Sequence, residues 1–487
     1  MVKKYNLIEE KWIPIEGSGR ASLMDAFDVE FKGKIGGTPI QKISIYKLLI
    51  AIAQDAVVIG DEIEWKSIGV VSFGDKCREY LEKYKDCFWL YGDRPFLQYP
   101  ELNDQNIPTK VVFCRYIPDL SADNDTIIRE TQTDPPVDDG ERALFLLSLM
   151  SYALGGKRVS NLEKILREPS IRGKSAKSAP SLGGGSVAGY QQSLFLCDAI
   201  TETVYCNYFT CNEISSTGYV ATGILPPWRE MPTLEDSSYN ENYKRSIYAW
   251  FLAMSRAVLL TNDGLKYCEG IVYSGEWFEP FISKNEKGRI QIVNPTMRTW
   301  RSLPSLLAGA FSQKDQNRGC FALKIHLSRL RSFCGRFEIW SGGLRVRGNS
   351  GDQSIKGDDD FVESSVMFYS EVFGDESFNR LCDIVCMADS NERKLFSSLN
   401  MYYENLGFGK NRGFGKAACV QYLQVLDSMS QSIVDSSISK DESDKMKRLL
   451  FRLLLDVYDS YCLKESARQI FAWYRCRNMI VRERSSL

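Results

Sequence analysis

Apolar residues recur at helical spacing in two stretches of the first third of the chain and again near its end. The stretches SIYKLLIAIAQDAVV (44–58) and GERALFLLSLMSYAL (140–154) are predicted helices, and acidic residues precede the second. Near the end the spacing i, i+3, i+4, i+7, i+8 runs through Met446, Leu449, Leu450, Leu453, Leu454 and Val457. A similar apolar stripe in the last segment consists of Ala467, Ile470, Phe471 and Tyr474. We expect both stripes to face a helical core.

Strand patterns lie before about residue 364, and helical patterns dominate after it. The segment EPFISKNEKGRIQIV (279–293) predicts a hairpin, and RFEIWSGG (336–343) predicts a strand. Helical spacing returns at 378–387 and 416–426. The expected fold class is therefore α+β: a large mixed N-terminal domain (1–363) with long loops, followed by a C-terminal four-helix bundle (364–487).

The apolar stretches are too short or too interrupted to span a bilayer, and the first residues lack a signal-peptide pattern. We therefore expect a cytoplasmic protein without a membrane partner. The formal net charge of −1 means that nucleic acid, if bound, would be met by local basic patches.

The residue types needed for metal or triad chemistry are sparse. The chain contains one histidine, His326, which is expected to be structural, and this argues against most metallohydrolase and Ser-His-Asp chemistry. Fourteen cysteines are scattered without paired CxxC motifs. Cys382 and Cys386 fall on the apolar face of a predicted helix, so buried thiols are favoured over metal ligands. No metal or other cofactor is expected.

A run of three glycines could bring the backbone close to another surface or offer N–H groups to phosphate. The run consists of Gly183, Gly184 and Gly185. It matches neither a Walker A motif nor a dinucleotide fingerprint, and a flexible loop is the alternative. The flank before it is strongly basic and includes Lys174 and Lys177. This flank would suit phosphate contacts, but a solvated surface would look the same.

The stretch WSGGLRVRGNSGDQSIKG (340–357) leads from a strand into a polar tip. The tip segment carries Arg345, Arg347, Gln353 and Lys356. Glycine, asparagine and serine are common in ordinary turns, so the stretch alone favours a plain turn. The segment NLGFGKNRGFGK (405–416) likewise favours an interhelix loop over a nucleic-acid contact.

Five motifs in order resemble the CasA family, the large subunit of the type I-E CRISPR surveillance complex Cascade. They are NLIEEKWIPI (6–15), LLIAIAQ (48–54), RPFLQ (94–98), APSLGGG (179–185) and GGLRVRGNSGDQS (342–354). A helical bundle at the end also resembles the family, so the resemblance extends over essentially the whole chain.

The resemblance implies a non-catalytic subunit that reads the protospacer-adjacent motif (PAM) of double-stranded target DNA. The family's wedge glutamine corresponds to Gln353, flanked by Asp352 and Ser354, and its minor-groove glycine corresponds to Gly184. A family lysine that reaches the minor groove has its nearest counterpart in Lys266, although the alignment places Cys268 there. The family's cysteine cluster is missing, so no zinc is expected. Implied partners are the CRISPR RNA-containing Cascade subunits and a helicase-nuclease.

The wedge and phosphate roles are physically reasonable, and two other functions remain open for the chain. A wedge inserted at a base step unstacks it in exchange for new contacts, and Arg345, Arg347 and Lys356 would hold the flanking phosphates. One alternative is a nucleotide-dependent transferase that uses the glycine run. The other is a structural scaffold that never touches DNA.

Overall fold

The computed structural model describes most of the chain, in segments. The described residues are 4–17, 19–103, 137–152, 187–233, 237–262, 264–271, 273, 278–285, 287–311, 318–346, 361–370, 373–409 and 413–482. They form two compact units. Unit 1 comprises 1–295, 317–330 and 340–363, and unit 2 comprises 296–316, 331–339 and 364–487. The division into domains 1–363 and 364–487 stays a prediction.

Helices supply most of the regular structure. Those of the first 333 residues are α1 (Leu23–Ala26), α2 (Pro39–Ala56), α3 (Glu62–Lys83), α4 (Asp139–Tyr152), α5 (Ile200–Cys206), α6 (Cys211–Ser215), α7 (Ser238–Lys244), α8 (Tyr248–Phe251), α9 (Thr299–Leu306), α10 (Ala308–Phe311) and α11 (Phe321–Phe333). The later ones are α12 (Asp375–Leu406), α13 (Gly413–Ser428), α14 (Ser430–Asp435), α15 (Lys440–Tyr461) and α16 (Ala467–Arg482). Short 3₁₀ helices cover Lys85–Phe88 and Pro100–Asn103.

The strands are short and form small sheets. They are β1 (Ile13–Pro14), β2 (Arg20–Ala21), β3 (Gln192–Leu196), β4 (Arg256–Thr261), β5 (Gly264–Glu269), β6 (Ser283–Lys284), β7 (Gly319–Cys320), β8 (Arg336–Leu344) and β9 (Phe361–Tyr369). The largest sheet has the order β3-β8-β9, and β4 pairs with β5 in an antiparallel hairpin. The chain is thus a mixed α+β protein with a helical C-terminal region, as predicted.

Helix α2 forms the centre of unit 1 and confirms the first predicted helix. Thr38 and Gln41 form a capping box at its start, and Pro39 occupies the first turn, where its missing N–H is harmless. Nearly every side chain from Pro39 to Gln54 is buried, so the helix is buried on all sides. It contacts α3, α4, α5 and α8. Helix α4 confirms the second predicted helix.

The predicted hairpin at 279–293 is also present. Asn285 N donates to Arg289 O at 2.8 Å, and Gln291 N donates to Ser283 O at 2.8 Å. Lys284 and Ile290 form an antiparallel bridge across the turn. The predicted strand at 336–343 corresponds to β8.

The C-terminal helices form the predicted bundle within unit 2. The long helix α12 contacts α13, α15 and α16. Leu395 and Leu399 of α12 and Leu450 and Leu454 of α15 are fully buried. The stripe of α15 therefore faces the core as its spacing predicts, because burying one apolar face stabilises an amphipathic helix.

The predicted apolar stripe of α16 is wrong. Ile470, Phe471 and Tyr474 are 47%, 66% and 58% exposed, whereas Ala472, Cys476 and Ile480 are buried. The buried residues repeat every four positions, which also places them on one helical face. The helix thus has two apolar faces, and the smaller side chains lie inward.

Two expectations about single residue types have different outcomes. His326 is fully buried, its ring contacts the Phe209 ring edge-on at 4.6 Å, and burial lowers the pKa of its imidazole well below the usual value. These features fit a structural histidine. The prediction of two buried thiols is wrong for Cys386, which is exposed, while Cys382 is half-buried. The buried stripe of α12 passes through Leu381 and Val385 and leaves Cys386 on its edge.

Across the described residues, we find no helix that combines the length and the apolarity needed to cross a membrane.

Candidate nucleic-acid interface

Most residues of the predicted interface lie outside the described residues. They are Gly183, Gly184, Gly185, Lys174, Lys177, Arg347, Asp352, Gln353, Ser354 and Lys356. Lys266 and Arg345 are described. The geometry of the candidate site is therefore given by the residues that flank the segments 153–186 and 347–360.

The two ends of segment 153–186 are anchored at one place. The last turn of α4 ends at Tyr152, and Val187 follows the segment. Val187 N donates to Ser151 O at 2.8 Å, which joins the backbone before the segment to the backbone after it. The described residues on either side of segment 153–186 are therefore held together at the end of α4.

The exit of this segment adjoins the entry of the next one. Gly189 has a φ of +84°, and a Cβ atom built on it would lie 3.4 Å from the Cβ of Val346. A Cβ atom on Gly343, near the end of β8, would lie 2.9 Å from Tyr190 O. A side chain at Gly343 would obstruct this approach, whereas glycine is favoured at position 189 by its positive φ. The chain before Val187 and the chain after Val346 therefore start from the same edge of unit 1.

The return of segment 347–360 is held by a charged cluster. Glu363 accepts a hydrogen bond from Trp340 Nε1 at 2.7 Å and forms an ion pair with Lys42 Nζ at 3.0 Å. Lys42 also pairs with Glu16 at 2.8 Å. Burial lowers the pKa of Lys42, but the hydrogen bonds and negative charges of the two glutamates outweigh it and raise that pKa above its usual value. Both ends of the segment are thus fixed to unit 1.

Arg345 follows directly after β8 and is half-buried. It precedes Val346, which contacts Gly189, so its positive charge lies at the base of segment 347–360. This is a suitable place for a phosphate contact, because phosphate contacts position a protein on a duplex.

Lys266 lies elsewhere in unit 1. It is on β5 opposite Leu259, and its Nζ lies 3.4 Å from Asn103 O and 3.3 Å from Asn103 Oδ1. The base of segment 153–186 meets this hairpin where Ser255 N donates to Met150 O. Leu259 is four residues further along, or about 13 Å of strand. The role of Lys266 in the minor groove stays a prediction.

Sequence analysis did not identify the buried lysines that support this edge. Lys42 and Lys47 both belong to α2, and both are buried. Lys47 pairs with Glu279 at 2.7 Å, with both side chains fully buried. Burial lowers the pKa of Lys47, and Glu279 acts in the opposite direction. The sequence does show two lysines inside an otherwise apolar helix. This pattern indicates buried ion pairs, since lysine is almost never fully buried unless it is paired.

Comparison with known proteins identifies one family. The family model described as CRISPR-associated protein Cse1 matches residues 6–457. The CRISPR-associated protein CasA/Cse1 of Thermus thermophilus is 27% identical over 170 residues, which are 32% of this chain and 33% of that protein. The alignment therefore spans about a third of the length of this curated relative.

Solved structures show the same fold. The crystal structure of Thermobifida fusca Cse1 is similar with a TM-score of 0.74 and 16% identity, over 99% of this chain and 98% of that one. A chain from a structure described as a CRISPR RNA-guided surveillance complex has a TM-score of 0.69 and 15% identity. That similarity covers 98% of this chain and 99% of the other.

The close approach at Gly343 makes a stability prediction. In Gly343→Ala the new methyl group would meet Tyr190 O at 2.9 Å and Val293 Cγ2 at 2.7 Å. Because the backbone oxygen cannot move freely, we expect a loss of about 1–3 kcal/mol in the free energy of unfolding, measured by denaturant titration. Gly335→Ala is the control, since nothing lies within 4 Å of its Cβ position. Equal stability of the two variants would contradict the close approach.

Proposed function

The chain belongs to the CRISPR-associated Cse1 family, and we propose that it is the large subunit of an RNA-guided surveillance complex that reads the PAM and starts duplex opening. The observation that carries this proposal is the contact of Gly189 with Val346. It supports a common base for the glycine run and the glutamine-bearing segment. A reader of one short DNA motif needs both elements on one side of the protein.

The glycine run is assigned to the minor groove. Gly185 precedes Val187 by two residues, so the run starts from the anchored edge within about 7 Å of chain. The minor groove is about 6 Å wide, and its edges carry few distinguishing groups. A backbone without side chains enters such a groove more easily than a helix does. Gly183, Gly184 and Gly185 are therefore proposed to lie against the base edges of the PAM.

Gln353 is assigned the role of a wedge at the first base step beside the PAM. Its segment lies between Val346 and Phe361, and the described chain on either side is held near Gly189 and by the contacts of Glu363. A segment that is anchored on both sides resists displacement when it is inserted at a base step. Unstacking costs a few kcal/mol per step, and a glutamine amide can hydrogen-bond the base edges that it displaces. Asp352 and Ser354 flank this amide.

Phosphate contacts are assigned to the basic residues on both segments. Arg345 and Arg347 precede the tip, Lys356 follows it, and Lys174 and Lys177 precede the glycine run. Such contacts set the register of a protein on DNA and carry no sequence information themselves. In this proposal the basic residues bind the phosphates, and the glycine run and Gln353 contact the bases.

Guide pairing is proposed to read the remaining target, and other subunits and a helicase-nuclease are the proposed partners. Exchange of DNA pairs for guide RNA pairs is nearly balanced in free energy. A local push at the PAM can therefore decide whether opening starts. A non-catalytic role follows, because opening under this scheme needs no covalent step from this chain.

The direct test uses a guide-loaded assembly with and without this chain on duplexes that have randomised flanks. We expect enrichment of one short flanking motif only when the chain is present, measured by sequencing the bound fraction. Binding without motif enrichment in both cases would leave the scaffold alternative. Hydrolysis of ATP by the purified chain would instead favour the transferase alternative.

Gln353→Ala is expected to slow duplex opening by about tenfold or more, since the wedge offsets an unstacking cost of a few kcal/mol. Initial contact with the PAM should change much less. Opening is measured with a fluorescent base analogue beside the PAM, and contact is measured by association kinetics. Asn349→Ala, an amide removed from the same segment, is the control and should open DNA like the wild type. Normal opening by Gln353→Ala would refute the wedge.

The double variant Lys174→Gln, Lys177→Gln tests the phosphate contacts. Each phosphate contact contributes about one unit to the slope of log affinity against log salt, so the slope should become shallower by about two. Motif preference should stay unchanged. Lys76→Gln, an exposed lysine of α3, is the matched control and should leave the slope unaltered. An unchanged slope in the double variant would remove these two lysines from the interface.

A further inference from the structure

Lys47 of helix α2 forms a buried ion pair with Glu279, and the pair contacts residues on both sides of segment 153–186. Lys47 Nζ and Glu279 Oε1 are 2.7 Å apart, and both side chains are fully buried. Lys47 Nζ also lies 5.7 Å from the centre of the Tyr152 ring, a cation–π distance. Tyr152 is the last described residue before the segment. The lysine end of the pair therefore supports the entry of the segment.

Glu279, the other member of the pair, contacts the chain that follows segment 153–186. Glu279 Oε1 accepts a hydrogen bond from Gln192 Nε2 at 3.0 Å, and Gln192 begins β3 three residues after Gly189. The other carboxylate oxygen accepts from Phe281 N at 2.9 Å and Ile282 N at 2.8 Å. Ser193 N donates in turn to Phe281 O at 2.8 Å, which ties this turn to β3. One carboxylate thus fixes the start of β3 against its neighbour.

A buried pair of this kind is poorly explained by stability alone. Removing two charges from water costs several kcal/mol per ion, and apolar replacements of such pairs are often neutral or stabilising. The pair instead fixes an orientation. The Glu279 carboxylate accepts from three N–H donors and lies beside the Lys47 cation, and these partners restrict how it can be placed. Here that arrangement joins α2, the end of α4 and β3.

We propose that Lys47 and Glu279 are positioning residues that fix Tyr152 and the start of β3, on either side of the segment that contains the glycine run, in the arrangement needed to engage the PAM. The proposal rests on the proposed function and adds its internal support. Neither residue is expected to touch DNA, since both side chains are fully buried. Their effect passes through Tyr152 on one side and Gln192 on the other.

The test needs a variant that removes both charges and still folds. Lys47→Met alone would leave a buried carboxylate unpaired and could unfold the chain. The double variant Lys47→Met, Glu279→Gln avoids this. Gln192 Oε1 has no hydrogen-bond partner among the described residues, so a flipped Gln192 amide would accept from the amide introduced by Glu279→Gln. The carbonyl oxygen of that introduced amide would still accept from Phe281 N and Ile282 N.

A matched control pair lies in the same unit. Arg329 is fully buried, pairs with Glu213 and donates to Tyr208 O at 2.5 Å. These contacts lie far in sequence from both segments. The variant Arg329→Met, Glu213→Gln therefore removes the charges of a buried arginine and its partly exposed partner. Melting temperatures of all variants are measured first, so that effects of general stability can be subtracted.

The decisive measurement compares an intact target duplex with one whose base pairs beside the PAM are already open. We expect the Lys47→Met, Glu279→Gln assembly to open the intact duplex about tenfold more slowly, the size of one lost base-edge contact. It should bind the pre-opened target like the wild type. The control variant should open the intact duplex at the wild-type rate after correction for stability.

The outcomes separate the inference from the proposed function. Normal opening by the Lys47→Met, Glu279→Gln variant would overturn the positioning role while leaving PAM reading intact. An equal loss in both double variants would also overturn it, because the effect would then be general instability. If a guide-loaded assembly that lacks this chain opens the duplex as well as the complete assembly does, the proposed function itself fails.

Discussion

The contact between Gly189 and Val346 is the constraint on which the candidate interface depends. With Gly343 close by, this contact lets the end of β8 lie directly against the backbone that follows segment 153–186. A side chain at Gly343 would meet the carbonyl oxygen of Tyr190, and one at Gly189 would be strained by the φ of +84°. The two chains therefore adjoin at positions that favour glycine, Gly343 for lack of space and Gly189 for its backbone conformation.

Two ion pairs hold the chain in place beside the two segments. Lys42 with Glu363 fixes the chain that follows segment 347–360, and Lys47 with Glu279 fixes the chain on either side of segment 153–186. Both lysines belong to α2, so one rigid helix supports both segments. Buried polar networks have few alternative arrangements, which suits a helix that must present two loops in a fixed relation.

Apolar patterns located the long buried helices well. α15 matches its predicted position because its stripe has one orientation that removes it from water, and α2 and α4 match because their apolar runs are buried on nearly all sides. α16 shows the limit of this reasoning. It has two apolar faces, and only packing in the bundle selected the one with Ala472, Cys476 and Ile480. The prediction for Cys386 failed for the same reason, since this residue lies at the edge of a stripe.

Local spacing and ordered short motifs were enough to predict the fold class, the main helices and the family. The sequence also singled out the glycine run and Gln353 as candidates. The folded chain was needed to show that their flanking residues adjoin and that two buried lysines of α2 contact those flanking regions. Such contacts join residues far apart along the chain, and local spacing carries no information about which distant backbone will approach.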